Sequence, residues 1–319
     1  MKRYFVTGGA GFIGSHLVDR LLSQGHAVTA FDNLSSGQLR FLERARASDR
    51  FELVEGDLCD ADSVARAVRG HDAVFHLAAN ADVRFGLEHP DKDLRNNTIA
   101  TFNVLEAMRL AEIKTVAFAS TGSVYGEPEV IPTPEDCPFP VQTSLYGASK
   151  LAGEGLICAY AAGFGFRTYI FRFVSILGDR YSHGHVFDFY RKLRIDPTQI
   201  EVLGDGTQRK SYLFVHDCLD AIFTAMQGSH EPVNIFNLGH DSYCCVDDSL
   251  SWICRELGVS PQRRYTGGKR GWVGDSPFIL LETKKIKSLG WSAKVEIPDA
   301  VVRTLRYLRE NQWLLEERA

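Results

Sequence analysis

The chain has 319 residues, of which 45% are hydrophobic and 24% are charged, as in a globular protein that buries a full core. Its formal net charge of −4 argues against a general nucleic-acid binder, and no apolar run approaches the roughly 18 residues that a membrane span needs. The seven cysteines are odd in number and form no C-x-x-C pair, which favours reduced thiols over a disulfide framework or a zinc site. The first residues reach glycine too soon for a secretory signal peptide, so we expect a cytoplasmic protein.

The N-terminal region predicts a nucleotide site. Residues 3–7 form a candidate buried strand, residues 8–14 are rich in glycine, and residues 15–22 have helical apolar spacing. In this order, the missing side chains let the backbone approach a pyrophosphate at the positive end of the helix. The next predicted strand, residues 27–31, leads into Asp32. An acidic residue about 20 positions after the glycines can bind a ribose 2′-hydroxyl and repel a 2′-phosphate, so Asp32 favours NAD over NADP.

Strands and helices continue to alternate along the first half of the chain. Further strands are predicted at 51–55, 73–77, 115–119 and 167–173, and helices at 61–69, 98–111 and 146–163. This order predicts an α/β fold with a Rossmann-type, doubly wound parallel sheet. Ligands of such sheets lie beyond the carboxyl ends of the strands. The glycine turn, Asp32 and residues 120–121 all follow strands, so we expect them to share one crevice.

Tyr146 and Lys150 are four residues apart on a predicted helix, so their side chains lie on one face. An ammonium beside a phenol favours the phenolate, which predicts a lowered tyrosine pKa and a general base. Taken alone, the pair is also compatible with an ordinary half-buried helix. Its place just after the strand that leads into Thr121 favours the catalytic interpretation.

The alternation loosens after residue 173. We expect loops over 174–210, a strand and helix over 212–226 that return to the sheet, and amphipathic helices at 247–257 and 299–310. The predicted NAD-binding domain is 1–173 with about 211–238, and a smaller C-terminal substrate-binding lobe comprises 174–210 and 239–319. His183 and His185 have no third ligand at a recognisable spacing, so no metal site is expected.

Ordered motifs extend along nearly the whole chain. They lie at residues 7–14, 32–34, 56–58, 76–79, 97, 103–107, 123–126, 146–150, 172–173, 204–208, 215–217 and 289–291. Together they resemble the extended short-chain dehydrogenase/reductases and, more narrowly, the NAD-dependent nucleotide-sugar epimerases and dehydratases, including the UDP-glucose 4-epimerases.

This resemblance implies a set of residues that bind NAD. The pyrophosphate would lie on the glycine turn, the adenosine ribose on the end of the second strand, and the adenine and nicotinamide on later strand ends. The residues so implied are Gly8, Gly11, Phe12, Ile13, Gly14, Asp32, Asn33, Asp57, Leu58, Leu77, Ala78, Ala79, Asn97, Tyr146, Lys150 and Phe173.

The resemblance also implies a catalytic trio. Thr121 would hydrogen-bond the reacting sugar hydroxyl, Tyr146 would remove its proton, and Lys150 would hold the nicotinamide ribose. A 4-keto sugar would form and then be reduced on its opposite face. The dehydratases carry Asp-Glu where this chain has Gly122-Ser123, and the UDP-glucuronate decarboxylases carry a carboxylate at the position of Ser123. Epimerisation at carbon 4 of an NDP-hexose or NDP-uronic acid is therefore expected. A 4,6-dehydratase, another oxidoreductase of this superfamily and a non-catalytic NAD-sensing regulator remain alternatives.

The substrate-binding residues depart from the family pattern. Ser175 stands where the family has an asparagine, and Lys210 stands where it has an arginine. The candidates are Arg84, Thr121, Ser123, Ser175, Arg209, Lys210 and Arg270. Arginine binds phosphate bidentately and lysine as a point charge, so a diphosphate would be held differently here. Arg84 would suit a uronic acid, or would lie on the surface.

The resemblance further implies a homodimer. Relatives often pack two helices from each subunit into a four-helix bundle, and helices 98–111 and 146–163 are the candidates here.

Overall fold

The computed structural model describes residues 1–80, 88–138, 141–272 and 274–317. The chain forms two compact units. Unit 1 comprises Met1–Gly126, Phe139–Arg172 and Ile222–Phe236, and unit 2 comprises Glu127–Pro138, Phe173–Ala221 and Asn237–Ala319.

The strands and helices are defined as follows. The strands are β1 Arg3–Thr7, β2 Ala27–Asp32, β3 Phe51–Glu55, β4 Ala73–His76, β5 Thr115–Thr121, β6 Arg167–Phe173, β7 Ser175–Leu177, β8 Gln199–Val202, β9 Arg209–Lys210, β10 Tyr212–Phe214, β11 Val233–Leu238, β12 Cys244–Cys245, β13 Gln262–Tyr265 and β14 Phe278–Ile279. The α-helices are α1 Phe12–Ser23, α2 Glu43–Arg46, α3 Ala61–Ala67, α4 Pro90–Asp93, α5 Ala100–Leu110, α6 Leu145–Phe164, α7 His185–Ile195, α8 Val215–Gly228, α9 Val246–Leu257, α10 Lys284–Lys287, α11 Ile297–Glu310 and α12 Trp313–Glu316.

A seven-stranded sheet forms the centre of unit 1, in the order β11-β6-β5-β4-β1-β2-β3. The neighbours from β3 through to β5 pair in parallel. The order reverses between β1 and β4, and doubly wound sheets bind their ligands at this point. The predicted Rossmann-type fold is therefore confirmed.

Buried apolar side chains hold the sheet to its helices. Phe5, Phe31 and Phe118 on the strands share one core with Val104 and Ile157 on α5 and α6. Burial on this scale stabilises a folded chain by roughly 1.5–3 kcal/mol for each large apolar side chain. The packing fixes α6 against β5 and so sets the position of the predicted Tyr146–Lys150 pair.

The cap of α6 sets where that helix begins. Ser144 precedes it and accepts a hydrogen bond from the Gly147 backbone N–H at 3.0 Å. Such a cap stabilises a helix by about 1 kcal/mol. The helix ends at Gly165, which adopts the left-handed conformation that glycine favours, with φ of 67°.

Unit 2 contains short strands and three of the longer helices. The expectation of loops over 174–210 is wrong, because β7, α7, β8 and β9 lie there. The apolar spacing of α7, with Val186, Phe187, Tyr190 and Leu193 buried, is the helical signal that the loop prediction missed. Among the described residues, no helix is long and apolar enough to cross a membrane.

The strand expected to return to the large sheet does not do so. β10 pairs in parallel with β7, each only three residues long, and the place beside β6 belongs to β11. The order of elements in the sequence could not decide between these strands, because both β10 and β11 are short apolar segments near one helix.

Candidate active site

The glycine turn after β1 permits a close approach between two backbone segments. Gly8 has a φ of 69°, and a Cβ there would lie 2.8 Å from the Ala78 backbone nitrogen. A Cβ on Gly14 would lie 2.0 Å from the Gly8 carbonyl oxygen. The turn and the first residues of α1 are thus held against the end of β4 by two positions that admit no side chain.

The N-terminus of α1 fits a phosphate. Gly11 precedes the helix, and no side chain among the described residues caps it. A Cβ on Gly11 would meet the Gly8 carbonyl oxygen at 3.1 Å, so the residue leaves the helix end open. Phe12 is buried and Ile13 half-buried behind it. Free N–H groups and the helix dipole at this end suit the pyrophosphate of NAD.

Asp32 lies buried at the end of β2 with both carboxylate oxygens fixed. Oδ2 accepts the Ala10 backbone N–H and Oδ1 accepts that of Leu34, each at 2.9 Å. Burial raises the pKa of Asp32, while the two backbone hydrogen bonds oppose that shift. Each oxygen keeps a lone pair, so the carboxylate can accept a ribose hydroxyl. Asn33 is exposed, and its side chain accepts the Ser35 backbone N–H.

The remaining predicted cofactor residues lie mainly at strand ends. Asp57 is exposed after β3, and Leu58 is buried with its carbonyl accepting the Asn103 side-chain amide at 2.8 Å. Residues 77–79 are half-buried after β4, and Phe173 is buried at the end of β6. Both segments lie at the carboxyl edge of the sheet, as expected.

Asn97 occupies a π-helical turn, Leu94–Ile99, that precedes α5. Its side-chain oxygen accepts the Asn80 backbone N–H at 2.8 Å, and its amide donates to the Ser149 hydroxyl at 2.9 Å. Ser149 in turn donates to the Tyr146 carbonyl at 2.8 Å. Asn97 therefore links the segment after β4 to the first turn of α6. Turns of this kind are frequent at functional sites.

Thr121, Ser123 and Tyr146 form a hydroxyl cluster. The Thr121 hydroxyl donates to the Ser123 hydroxyl at 3.2 Å, and its oxygen accepts the Ser123 backbone N–H at 3.1 Å. A side-chain hydrogen bond also joins Thr121 to Tyr146. The three are half-buried, so the site is partly open to a ligand.

The expected lowering of the Tyr146 pKa is wrong. Burial raises this pKa to about 12, Thr121 opposes the shift, and Asp93 adds to it. Lys150 is not a cause of the shift, although the two residues are one helical turn apart. The physical reason is that the desolvation of the phenol outweighs the hydrogen bond. Tyr146 is therefore protonated at neutral pH in this environment.

Lys150 is 1% exposed, and its Nζ lies 4.3 Å from the centre of the Phe118 ring. Burial lowers its pKa to about 7, and Glu154 partly opposes that shift. Nearby, His76 bridges Thr7 and Thr101 through its two ring nitrogens. Burial and the charge of Lys150 lower the His76 pKa to about 3, so this histidine is neutral.

Sequence reasoning missed a buried ion pair next to this site. The Arg172 guanidinium donates to both carboxylate oxygens of Glu154, at 3.0 Å from Nε and 2.7 Å from Nη2. The spacing of Glu154, four residues after Lys150, predicts that these two side chains share a helix face, but no local pattern predicts the pairing of Glu154 with Arg172.

The candidate substrate residues in unit 2 already have partners. The Lys210 ammonium donates to Asp275 Oδ1 at 2.5 Å and to the Ser276 carbonyl. The Arg209 guanidinium lies 3.8 Å from the centre of the Phe278 ring, and Arg270 pairs with Glu127. Of these cations Lys210 is the most enclosed, while Arg209 is exposed and Arg270 has a 44% exposed side chain. Ser175 is exposed at the start of β7, and Arg84 lies outside the described residues.

Comparisons with known proteins agree with this geometry. Residues 4–239 match the model of the NAD dependent epimerase/dehydratase family. The chain is 33% identical to the UDP-glucose 4-epimerase of Mycolicibacterium smegmatis, over 97% of this chain and 99% of the relative. A solved UDP-galactose 4-epimerase is 39% identical with a TM-score of 0.88, covering 98% of this chain and 100% of the other. A dTDP-glucose 4,6-dehydratase from Streptomyces venezuelae, solved with NAD, is 26% identical with a TM-score of 0.90, covering 99% and 100%.

Proposed function

Because the chain belongs to the NAD-dependent epimerase/dehydratase family, we propose that it is a nucleotide-sugar 4-epimerase that inverts carbon 4 of an NDP-hexose or NDP-uronic acid. The observation that carries the proposal is the cluster of the Thr121, Ser123 and Tyr146 hydroxyls, in which positions 122 and 123 carry no carboxylate.

The cofactor would lie on unit 1. The glycine turn and the N-terminus of α1 would hold the pyrophosphate, and Asp32 would hold the adenosine ribose. Lys150 would hold the nicotinamide ribose. Bound NAD⁺ supplies the acceptor, and afterwards the donor, of the hydride on carbon 4, together with a positive charge.

Thr121 and Tyr146 then act on the hydroxyl at carbon 4. Thr121 orients this hydroxyl, and the Tyr146 oxygen takes its proton as the ketone forms. Burial raises the pKa of Tyr146 to about 12, so its proton must leave before the residue can act as a base. The positive charge of bound NAD⁺ would favour that loss. The same oxygen returns the proton when the ketone is reduced on its opposite face.

Ser123 distinguishes this reaction from dehydration. A dehydratase or a decarboxylase requires an acid or base near carbons 5 and 6, and the family members with those activities carry a carboxylate at the position of Ser123. A serine hydroxyl with an ordinary pKa cannot abstract a carbon-bound proton at neutral pH. It can donate or accept a hydrogen bond with the sugar, which suits a binding role.

The substrate diphosphate would bind to unit 2, the proposed substrate-binding lobe. We assign Arg209 and Arg270 to it ahead of Lys210, because the Lys210 ammonium is enclosed by Asp275 and Ser276. A guanidinium also binds phosphate bidentately. The uridine diphosphate of the relatives' substrates is the first nucleotide to test.

A product screen tests the activity. Purified protein is incubated with UDP-, GDP-, CDP- and dTDP-sugars, and the products are resolved by chromatography and mass. We expect a product of unchanged mass that differs at carbon 4. Loss of water or carbon dioxide would instead establish a dehydratase or a decarboxylase, such as the solved dehydratase that this fold resembles.

The protein is further proposed to be a cytoplasmic homodimer. All seven cysteines are free thiols, which suits a reducing compartment. Exposed apolar side chains mark both helices, with Phe102 45% and Leu110 64% exposed on α5 and Phe164 46% exposed on α6. Between these helices, the Tyr160 hydroxyl donates to Glu106 at 3.0 Å. The two helices therefore form one linked apolar face that a second copy can cover.

A substitution that introduces a charge on this apolar face is expected to dissociate the dimer. We expect the native protein to have twice the chain mass of 35.6 kDa by light scattering, and Phe102→Glu to have the mass of one chain. Ile195→Glu, which places the same charge on an exposed apolar position of unit 2, is the control and stays dimeric. A native monomer would refute the dimer.

A further inference from the structure

Four polar side chains are buried as one cluster in unit 1, namely Ser120, Tyr125, Glu154 and Arg172. Arg172 binds Glu154 bidentately, and its Nη1 donates to the Tyr125 hydroxyl at 2.6 Å. The Ser120 hydroxyl donates to Glu154 Oε1. Each residue is at most 3% exposed, so the carboxylate and the guanidinium are both removed from water.

The cluster and Lys150 lie on one face of α6. Glu154 follows Lys150 by four residues, which stacks the two side chains one turn apart. On the facing strand, Phe118 lies under the Lys150 ammonium, and Ser120 points the same way two residues later. Gly153 allows α6 to pack closely on the Phe118 ring, since a Cβ at this position would lie 3.0 Å from the ring.

The cluster and Lys150 together contain two cations but only one carboxylate. Lys150 and Arg172 are cations, and Glu154 is the carboxylate bound to Arg172 and stacked next to Lys150. A buried charge without a partner is costly, whereas an apolar pair fills such a space at no loss of stability. Packing alone therefore does not account for an ion pair at this place.

We propose that Glu154 is a positioning residue of the reaction, acting as the buried counter-ion that keeps Lys150 charged and in place beneath the nicotinamide ribose. Arg172, Ser120 and Tyr125 fix the carboxylate in this role. The inference rests on the proposed function for its purpose, but the state of Lys150 can be measured without any turnover.

The groups around Lys150 agree with this role. Burial lowers the Lys150 pKa to about 7, and Glu154 is the group that opposes the shift. The other titratable side chains nearby are His76 on β4, which is neutral, Tyr146 on α6, which is protonated, and Arg172 on β6, which is charged. None of these supplies a negative charge, and the buried carboxylate of Asp93 on α4, which acts on Tyr146, is not among the groups that shift the Lys150 pKa. Loss of the Glu154 charge therefore lowers the Lys150 pKa further, and the ammonium becomes neutral at pH 7.

Titration of Lys150 tests the proposal directly. Protein labelled with ¹³C at the lysine ε-carbon is titrated by NMR, and the Lys150 signal is identified as the one absent from Lys150→Met. We expect Glu154→Gln to lower the midpoint by about one pH unit or more, the size of shift that loss of a close opposite charge produces. Glu154→Asp, which keeps the charge, restores the midpoint toward that of the native protein.

Two further variants separate charge from packing. Arg172→Gln removes a cation and leaves Glu154 facing Lys150, so the midpoint rises while the near-ultraviolet circular dichroism stays native; that second measurement is needed because a loosened core would hydrate Lys150 and also raise its pKa. Ser120→Ala removes one hydrogen bond and no charge, and leaves the midpoint near its native value. If Glu154→Gln does not fold, the Arg172→Gln titration decides.

The pH profile of kcat/KM gives the corresponding functional result. Lys150 acts in its charged form, so the alkaline limb of this profile moves to lower pH in Glu154→Gln. In Glu154→Asp the limb returns toward its native position. A midpoint of Lys150 that is the same in Glu154→Gln and the native protein, or that falls in Arg172→Gln, would overturn the proposal. Either result would leave the proposed epimerase activity standing.

Discussion

Replacing Tyr146 by phenylalanine lowers kcat by about 10²–10⁴-fold, the usual contribution of a positioned general acid–base group. The change removes the one oxygen that accepts and returns the proton of the sugar hydroxyl, while the ring and its packing stay. Initial rates with saturating substrate measure the loss. Binding of NAD, followed by its absorbance on the purified protein, stays close to native because the glycine turn and Asp32 are unchanged.

Tyr169→Phe is the matched control. The Tyr169 hydroxyl donates to the Ser229 carbonyl at 2.9 Å and takes no part in the site. Its removal leaves kcat near the native value. Full turnover in Tyr146→Phe would show that another group is the base, and the role of Thr121 would have to be revised with it.

Gly14→Ala disrupts the cofactor site. Helix propensity alone would favour alanine at this position by about 1 kcal/mol. The new Cβ, however, would lie 2.0 Å from the Gly8 carbonyl oxygen and 3.0 Å from the Gly9 Cα, both backbone atoms. Overpacking of this kind costs about 1–3 kcal/mol or more, so the steric effect wins. We expect a lower free energy of unfolding in urea and a weakened affinity for NAD.

Gly163→Ala provides the comparison in another helix. No atom of the described residues that could clash lies within 4 Å of a Cβ at Gly163 in α6, so the substitution stabilises the protein slightly or leaves it unchanged. Gly14→Ala with native stability and native NAD affinity would show that the turn tolerates a side chain, and the proposed close approach of the pyrophosphate would be wrong.

Much of the fold of unit 1 follows from sequence. The strands at 3–7, 51–55 and 167–173 and the order of strands and helices were predicted correctly, because glycine turns and apolar periods mark them. Unit 2 was harder to predict. β10 and β11 are similar short apolar segments, and which of them joins the large sheet depends on packing between distant parts of the chain.

The candidate site likewise has features that the sequence predicts and features that depend on the fold. Gly8, Asp32 and Tyr146 belong to short local patterns, so the sequence alone placed them at strand ends and on a helix. Solvation could not be read from such patterns. The raised pKa of Tyr146 and the burial of Lys150 depend on neighbours on β4, β5 and α4, such as His76, Phe118 and Asp93, which are far away in sequence.

The enclosure of Lys210 is a second feature that sequence did not predict. A lysine where relatives have arginine reads as a phosphate ligand, yet its ammonium is bound to Asp275, which lies 65 residues further along. Only the folded chain brings the two together. The pairing of Glu154 with Arg172 depends on the fold in the same way.

The fate of the hydrogen on carbon 4 tests the central claim most directly. UDP-glucose carrying deuterium at carbon 4 is incubated with the protein in ordinary water, and the product is analysed by mass spectrometry and NMR. We predict the carbon-4 epimer with the deuterium still on carbon 4 and no solvent hydrogen bound to carbon, because the hydrogen removed returns to the same atom. Turnover with deuterium lost from carbon 4, or with solvent hydrogen incorporated at carbon 5, would contradict the account.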